Sequence, residues 1–98
     1  MAEIVWTEEA EQWLRYIHDY IATNNSAAAI RVIDGIFERT QVLRHFPEIG
    51  HKYRDEPEGE IRILLYGHYR IAYLLRPSRV IEVLGVFHDA LDLTEYLP

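Results

Sequence analysis

The sequence predicts an α+β fold with the element order β-α-α-β-β-β, in which a helical hairpin packs on one face of a small, mainly antiparallel sheet. Three observations predict it. Two adjacent segments carry apolar residues at helical spacing, three later segments carry them at strand spacing, and the turns between those strands are short. The two helices are adjacent, so they can cover only one face of the sheet. The 98 residues are expected to form a single domain, residues 1–98.

The first strand is predicted over residues 2–6, where β-branched and aromatic residues are concentrated. Thr7 is the expected N-cap of the first helix, because its hydroxyl can accept a bond from a free backbone N–H. Glu8 and Glu9 follow it at the positive end of the helix dipole. The helix itself is indicated by an apolar stripe at helical spacing: Ala10, Trp13, Leu14, Ile17 and Ile21.

A second helix follows the break at residues 23–25, with Ser26 as its expected N-cap. Gly35 lies inside this helix, where glycine costs about 1 kcal/mol relative to alanine. It is interpreted as a point of close helix approach, with simple tolerance of the glycine as the alternative. Pro47 ends the helix, because a proline disfavours helical geometry in the residue before it. The apolar stripe of the second helix is Ala29, Val32, Ile33, Ile36, Thr40 and Leu43.

Residues 48–59 are polar and contain glycine and proline, which predicts a mobile loop. Three antiparallel strands are then predicted over residues 61–66, 69–76 and 79–88. Two-residue turns at Gly67-His68 and Pro77-Ser78 would join them. Residues 89–98, called the tail below, are expected to form a short helix or to lie extended.

Two-residue turns assign every side chain of these strands to a face, and both faces are rich in apolar groups. A charged guanidinium beneath the helix pair would cost several kcal/mol unless it were paired. The face of Arg70 is therefore predicted to point away from the helices and to leave an exposed apolar surface, which usually marks a partner site. A slip of one residue would exchange the faces, and a bulge at Gly85 would move His88 to the face of Arg70. The opposite face, predicted to lie under the helices, includes Tyr66, Tyr69, Tyr73, Arg62, Leu84 and Glu82.

Composition excludes several classes of protein. The net charge of −6 argues against a general nucleic-acid binder, although the four arginines between residues 61 and 81 are accompanied by no acidic residue. There are no cysteines, so disulfides and thiolate metal sites are excluded. The five histidines lack metal-ligand spacing, and we expect neither a metal nor a cofactor. The N-terminal residues do not have the pattern of a signal peptide, and no apolar run approaches about 20 residues, so a cytoplasmic protein without membrane contact is expected.

Four segments, in this order and spacing, resemble the RelE/ParE superfamily of bacterial toxins from type II toxin–antitoxin systems, and they resemble its ParE branch most. They are VWTEEAEQWLRYIHDYI, AAAIRVIDGIFERTQVLRHFPEIG, GHYRIAYLL and VLGVFH. The resemblance covers almost the whole chain. It implies a cytoplasmic toxin that is associated with plasmid stabilisation and is held inactive in a hetero-oligomer by a cognate antitoxin.

In such a complex the antitoxin would cover the exposed apolar face as a helix in a groove or as an added strand. The residues expected to bind it share the face of Arg70. They are Ile61, Ile63, Leu65, Ala72, Leu74, Ile81, Val83 and Phe87.

The resemblance leaves two activities open. RelE-like members cut messenger RNA on the ribosome, whereas ParE-like members inhibit DNA gyrase by binding it. Arg70 in the YRIAY segment matches an arginine that stabilises phosphate charge in the RelE-like enzymes, and His88 matches a general acid or base in some of them. Glu58 or Glu60 would be the partner base. The enzymes often carry basic residues or tyrosine after the histidine, but here residues 89–92 are Asp-Ala-Leu-Asp.

Three functions therefore compete. The first is a ParE-like inhibitor of DNA gyrase, which the acidic charge and the absence of basic residues after His88 favour. The second is a RelE-like, ribosome-dependent and metal-independent endoribonuclease that uses Arg70 and His88. The third is a toxin-fold binding protein without toxicity. For Arg70 the simpler alternative is that its guanidinium bonds backbone carbonyls or a nearby acid.

Overall fold

The computed structural model describes residues 1–98 and confirms the predicted α+β class. The sheet has five strands in the order β1-β5-β4-β3-β2; β1 is parallel to β5, and every other pair is antiparallel. Short 3₁₀ turns at Val42–Arg44 and Leu93–Glu95 follow the second helix and the last strand. The elements are β1 (Glu3–Trp6), α1 (Glu8–Ala22), α2 (Ser26–Gln41), β2 (His51–Glu56), β3 (Gly59–Tyr66), β4 (Tyr69–Leu75) and β5 (Val80–His88).

The helix starts follow from their caps. The Thr7 hydroxyl accepts a bond from the Ala10 N–H at 3.2 Å and donates one to the Val83 carbonyl at 2.7 Å, so the same side chain caps α1 and fixes it to β5. For α2 the predicted cap is wrong by one residue. The Asn25 side chain accepts from the Ala28 N–H at 3.0 Å, and Ser26 is already the first helical residue.

The segment predicted as a mobile loop contains an additional strand. Residues His51–Glu56 form β2, which pairs with β3 at one edge of the sheet and has a bulge at Tyr53. Its sequence, HKYRDE, has no apolar alternation, because an edge strand with charged side chains is stabilised by backbone pairing. The strand is therefore stabilised by its pairing with β3, and its own sequence shows no strand periodicity.

The connection between β4 and β5 is one residue longer than predicted. The Arg76 N–H donates to the Val80 carbonyl and its carbonyl accepts from the Arg79 N–H, so Pro77, Ser78 and Arg79 form a three-residue loop. Arg79 has a φ of 67°, which closes the loop in the left-handed conformation. By contrast, the two-residue turn at Gly67-His68 is as predicted, with Tyr66 opposite Tyr69.

A bulge in β5 then compensates for the longer loop. Ala72 pairs with Gly85 but Tyr73 pairs with Val83, which leaves Leu84 as the extra residue. The loop and the bulge each shift the register by one residue in the same direction, and a total shift of two residues restores the predicted faces beyond Gly85. His88 consequently stays on the face opposite Arg70, although a bulge is present where one was considered.

Between the loop and the bulge, however, the predicted faces are exchanged. Ile81 and Val83 were expected on the face of Arg70, but both are fully buried beneath the helices. Glu82 was expected on the helix side and lies on the other face, opposite Leu74. The helix face of the sheet, as observed, contributes Leu64, Ile71, Tyr73, Ile81, Val83 and Val86 to the core shared with α1 and α2.

The second face of the sheet is covered by the tail of the same chain, so the prediction of a large exposed apolar surface is wrong. Leu93 and Leu97 of the tail are buried in a second apolar cluster together with sheet residues, and Leu91 packs against it. Trp13 and Tyr53 close the cluster from α1 and β2. The sheet residues beneath this cover, which we call the tail face, are Ile61, Ile63, Ala72, Leu74 and Phe87.

Two tyrosines of the sheet hold α2 and the segment after it. The hydroxyl of the buried Tyr73 donates to the Pro47 carbonyl at 2.7 Å and accepts from the Gly50 N–H at 3.1 Å. Gly35 is indeed a point of close approach, but its neighbour is the Tyr66 side chain and not the other helix. A Cβ on Gly35 would lie 1.8 Å from the Tyr66 hydroxyl. None of the helices combines the length and the apolarity needed to cross a bilayer.

Gly59→Ala should destabilise the fold by about 2–3 kcal/mol. Gly59 has a φ of 155°, and an added Cβ would lie 2.1 Å from the Leu75 carbonyl oxygen. Gly67→Ala is the matched control, because Gly67 also has a positive φ (55°) but open space around its Cβ position. Its cost should be about 1 kcal/mol. Urea unfolding followed by circular dichroism measures both, and equal costs would contradict a steric cause at Gly59.

Tyr73→Phe should cost about 1–3 kcal/mol at neutral pH, because the Pro47 carbonyl and the Gly50 N–H lose their partner. The cost should also depend on pH. Burial raises the pKa of Tyr73, so the folded state holds the phenolic proton more tightly than the unfolded chain does. This contribution is complete below the unfolded pKa of about 10 and is lost as the pH rises further. The unfolding free energies of the two proteins are measured at pH values of roughly 7, 9 and 10.5, on both sides of the unfolded pKa. The two free energies should converge at the highest pH. A difference that stays constant with pH would contradict the role of the Tyr73 hydroxyl.

Candidate functional site

The Arg70 guanidinium is hydrogen-bonded to the first turn of the tail. Its Nη2 atom donates to the backbone carbonyls of His88 at 3.4 Å, of Asp89 at 3.3 Å and of Leu91. Its Nε atom is buried without a partner. The guanidinium thus binds three carbonyl oxygens where a phosphate would have to bind, as in the simpler alternative considered for this residue.

The His88 side chain lies on the opposite side of the sheet. His88 pairs with Tyr69 in the β4–β5 ladder, whereas Arg70 pairs with Phe87, and successive side chains of a strand alternate between faces. The ring of His88 contacts Tyr69 edge-on at 5.7 Å and lies 6.2 Å from the ring of His68. Its Nδ1 atom lies 3.1 Å from the Ala90 backbone nitrogen and 3.2 Å from a carboxylate oxygen of Asp89. The structure therefore does not bring the two predicted catalytic side chains together.

Two of the remaining arginines of the basic segment have carboxylate partners. Arg62 pairs with Glu60 at 3.0 Å and also donates to the carbonyls of Glu48 and Gly50, which is how it is accommodated on the helix side of the sheet. Arg76 pairs with Glu82 on the other face. These two ion pairs neutralise half of the local excess of arginine in the sequence.

The residues expected to bind an antitoxin are mostly inaccessible. Ile81 and Val83 lie under the helices, and five of the others form the tail face beneath residues 91–97. Leu65 is the exception, with 54% of its surface exposed. A partner could contact these side chains as a group only if the tail first left the sheet.

An open groove of about 700 Å³ lies between α1, the ends of β4 and β5, and the tail. We call it the aromatic groove. Trp13 forms its floor and contacts Tyr16 edge-on at 6.0 Å and Tyr96 edge-on at 5.3 Å. Tyr16 and Tyr20 are 63% and 73% exposed. The groove is lined by Gln12, Trp13, Tyr16, Ile17, Tyr20, Tyr69, His88, Leu91 and Tyr96.

Sequence reasoning missed this groove, although part of its signal was present. Trp13, Tyr16 and Tyr20 follow one another at spacing i, i+3 and i+7, so they share a side of α1. Only Trp13 was assigned to the buried stripe. The contributions of Tyr69, His88 and Tyr96 come from three distant parts of the chain, and no local pattern connects them.

The lining of the groove is formed by aromatic, aliphatic and amide side chains. None of the nine lining residues is Asp, Glu, Lys or Arg. Burial raises the pKa of Tyr69, and the nearby Tyr20 raises it further, so the Tyr69 phenol stays protonated at neutral pH. The chemistry available is therefore aromatic faces and phenolic hydroxyls. The chain has no group of three or more His, Asp or Glu side chains placed to hold a metal ion.

Comparisons with known proteins agree with the fold. Residues 4–93 match the family described as the ParE toxin of the type II toxin–antitoxin system parDE. Among solved structures, the chain is similar to the chromosomal ParDE toxin–antitoxin system from P. aeruginosa, with a TM-score of 0.73 and 18% identity over 90% of this chain and 96% of that one. It is also similar to the toxin–antitoxin complex RelBE2 from Mycobacterium tuberculosis, with a TM-score of 0.55 and 22% identity over 89% and 96% of the two chains. No curated protein matches the sequence.

Arg70→Gln should loosen the tail while the helices and the sheet remain folded. The carbonyls of residues 88, 89 and 91 lose a charged donor, and we expect a loss of about 1–2 kcal/mol in a partly exposed site. Amide hydrogen exchange should become faster within residues 89–98 and stay unchanged in α2. Arg31→Gln, an exposed helical position, is the control. Unchanged exchange in the tail of Arg70→Gln would contradict the anchoring role.

Proposed function

The chain belongs to the ParE toxin family of type II toxin–antitoxin systems, and we propose on this basis that it acts in the cytoplasm by binding and inhibiting DNA gyrase and that a cognate antitoxin neutralises it in a hetero-oligomer. The match over residues 4–93 carries the proposal, because it covers both helices and all five strands except the first residue of β1. Inhibition by binding requires complementary surfaces and no reacting side chains of the toxin itself.

The positions of the candidate catalytic residues support binding over ribonuclease chemistry. Cleavage of RNA without a metal needs a cation at the phosphorane and an acid or base on the same side of it. Arg70 is bonded to three backbone carbonyls, and His88 lies on the other side of the sheet. Glu60, one of the two candidate partner bases, is paired with Arg62.

The electrostatics favour the same function. The net charge of −6 opposes docking into a ribosomal site made of RNA, since every approach to RNA works against phosphate repulsion. A protein target such as gyrase imposes no such penalty over the whole surface. The two arginines with carboxylate partners, Arg62 and Arg76, add no free positive patch.

Induced expression in a bacterial host tests the proposal. A gyrase inhibitor should cause filamentation and a DNA-damage response, and the purified protein should inhibit supercoiling by purified gyrase while translation in vitro continues. Co-expression of the cognate antitoxin should restore growth. A toxin gene with an early stop codon is the control for expression burden.

Two other results would replace the proposal. Immediate arrest of translation with cleavage of messenger RNA, abolished by Arg70→Ala, would establish the RelE-like activity. Absence of any growth defect at high protein levels, with normal supercoiling, would establish a toxin-fold binding protein without toxicity.

A further inference from the structure

We propose that the aromatic groove binds a basic segment of the antitoxin, with a lysine or arginine side chain held against the tyrosine rings and aliphatic side chains on either side of it. The identity of the partner rests on the proposed function. The chemistry of the segment follows from the groove itself: its rings, the charges around it and its size.

The rings form a surface suited to a cation. Six aromatic side chains line the groove, namely Trp13, Tyr16, Tyr20, Tyr69, His88 and Tyr96. Trp13 stands nearly perpendicular to both Tyr16 and Tyr96, so ring faces and ring edges are presented together. A Lys or Arg side chain against the face of Trp or Tyr is attracted by the ring quadrupole, and more strongly when water is excluded.

The exposed charged side chains on the two walls of the groove are acidic. Glu9 lies on the same side of α1 as Gln12, Tyr16 and Tyr20, at spacing i, i+3, i+7 and i+11. The tail that forms the other wall carries three exposed acids, Asp89, Asp92 and Glu95, and no basic residue. Arg70 lies beneath the tail, where it is bonded to the carbonyls of residues 88, 89 and 91. The bonds from Thr94, and after them the positive charge of Arg70, lower the pKa of Asp92.

The acidic residues beside the groove discriminate between two kinds of ligand that aromatic rings can bind, nucleic-acid bases and cationic peptides. Exposed tyrosines can stack nucleic-acid bases, but such sites also track the phosphates with positive charge. Here the rim would repel phosphate and attract a cationic peptide. The volume of about 700 Å³ accommodates a few side chains of one helix or extended strand and excludes a folded domain.

A fluorescence titration tests the proposal. Trp6→Phe leaves Trp13, on the floor of the groove, as the sole tryptophan. The probe is an amphipathic peptide of about 16 residues, four to five helical turns, with a leucine stripe flanked by arginines. A peptide of the same pattern with glutamate at the arginine positions and a short single-stranded RNA are the comparison ligands. The arginine peptide should change the Trp13 emission and bind roughly tenfold or more tightly than either of them.

Variants then assign the binding to the groove. Tyr16→Ala combined with Tyr20→Ala removes two exposed rings without opening the core, and it should weaken the arginine peptide by roughly tenfold. Tyr16→Phe combined with Tyr20→Phe keeps the rings and should retain most of the affinity. Phe37→Ala is the matched control, because Phe37 is an exposed aromatic residue outside the groove that packs on Trp6.

The antitoxin itself decides the identity of the partner. The cognate antitoxin should bind the Tyr16→Ala, Tyr20→Ala protein at least roughly tenfold more weakly than the Phe37→Ala protein. Equal or tighter binding of the glutamate peptide or the RNA would overturn the proposed chemistry. Unchanged antitoxin affinity in the alanine double variant would overturn the proposed partner. None of these measurements uses gyrase or growth, so they are independent of the test of toxicity.

Discussion

A sheet that is apolar on both faces must be covered twice, and the remaining architecture depends on this constraint. The helical hairpin covers one face and buries Ile71, Tyr73 and Val86. The tail covers the other with Leu93 and Leu97. At about 25 cal/mol per Å² of apolar surface removed from water, leaving either face open would be costly for a domain of this size. The second cover is therefore part of the fold.

Arg70 has its place because of that cover. A tail of ten residues with one short 3₁₀ turn has few backbone bonds of its own, and the carbonyls of its first turn need donors. The guanidinium supplies one donor atom to three of them. Arg70 therefore lies in the middle of a strand because the tail that covers the surrounding apolar face needs a donor there. Its position requires no catalytic explanation.

Because the tail face is covered, a partner has to bind on surfaces that the fold leaves open. The aromatic groove lies where α1, the ends of β4 and β5, and the tail meet, and all three parts of the structure are needed to build it. Tyr96 belongs to the groove and packs against Phe87 of the tail face at 5.6 Å. The groove and the covered face are thus mechanically connected, and a partner that binds in the groove also contacts the segment that closes the sheet.

The sequence by itself determined the α+β class, the two helices, four of the five strands and the Thr7 cap, because each of these rests on periodicity or capping within a short segment. It also carried the resemblance to the toxin superfamily, through the order and spacing of four segments. It did not reveal β2, whose HKYRDE sequence carries no strand pattern and which is held by pairing with β3. Nor did it give the three-residue loop after Arg76 and the bulge at Leu84, which together moved Ile81 and Val83 beneath the helices. Only the tertiary structure decided that the tail, and not another protein, covers the second face, and that Arg70 and His88 point to opposite sides. The reason is physical: strand register and the docking of a tail depend on contacts between residues far apart in the chain, and such contacts leave no periodic trace in the sequence.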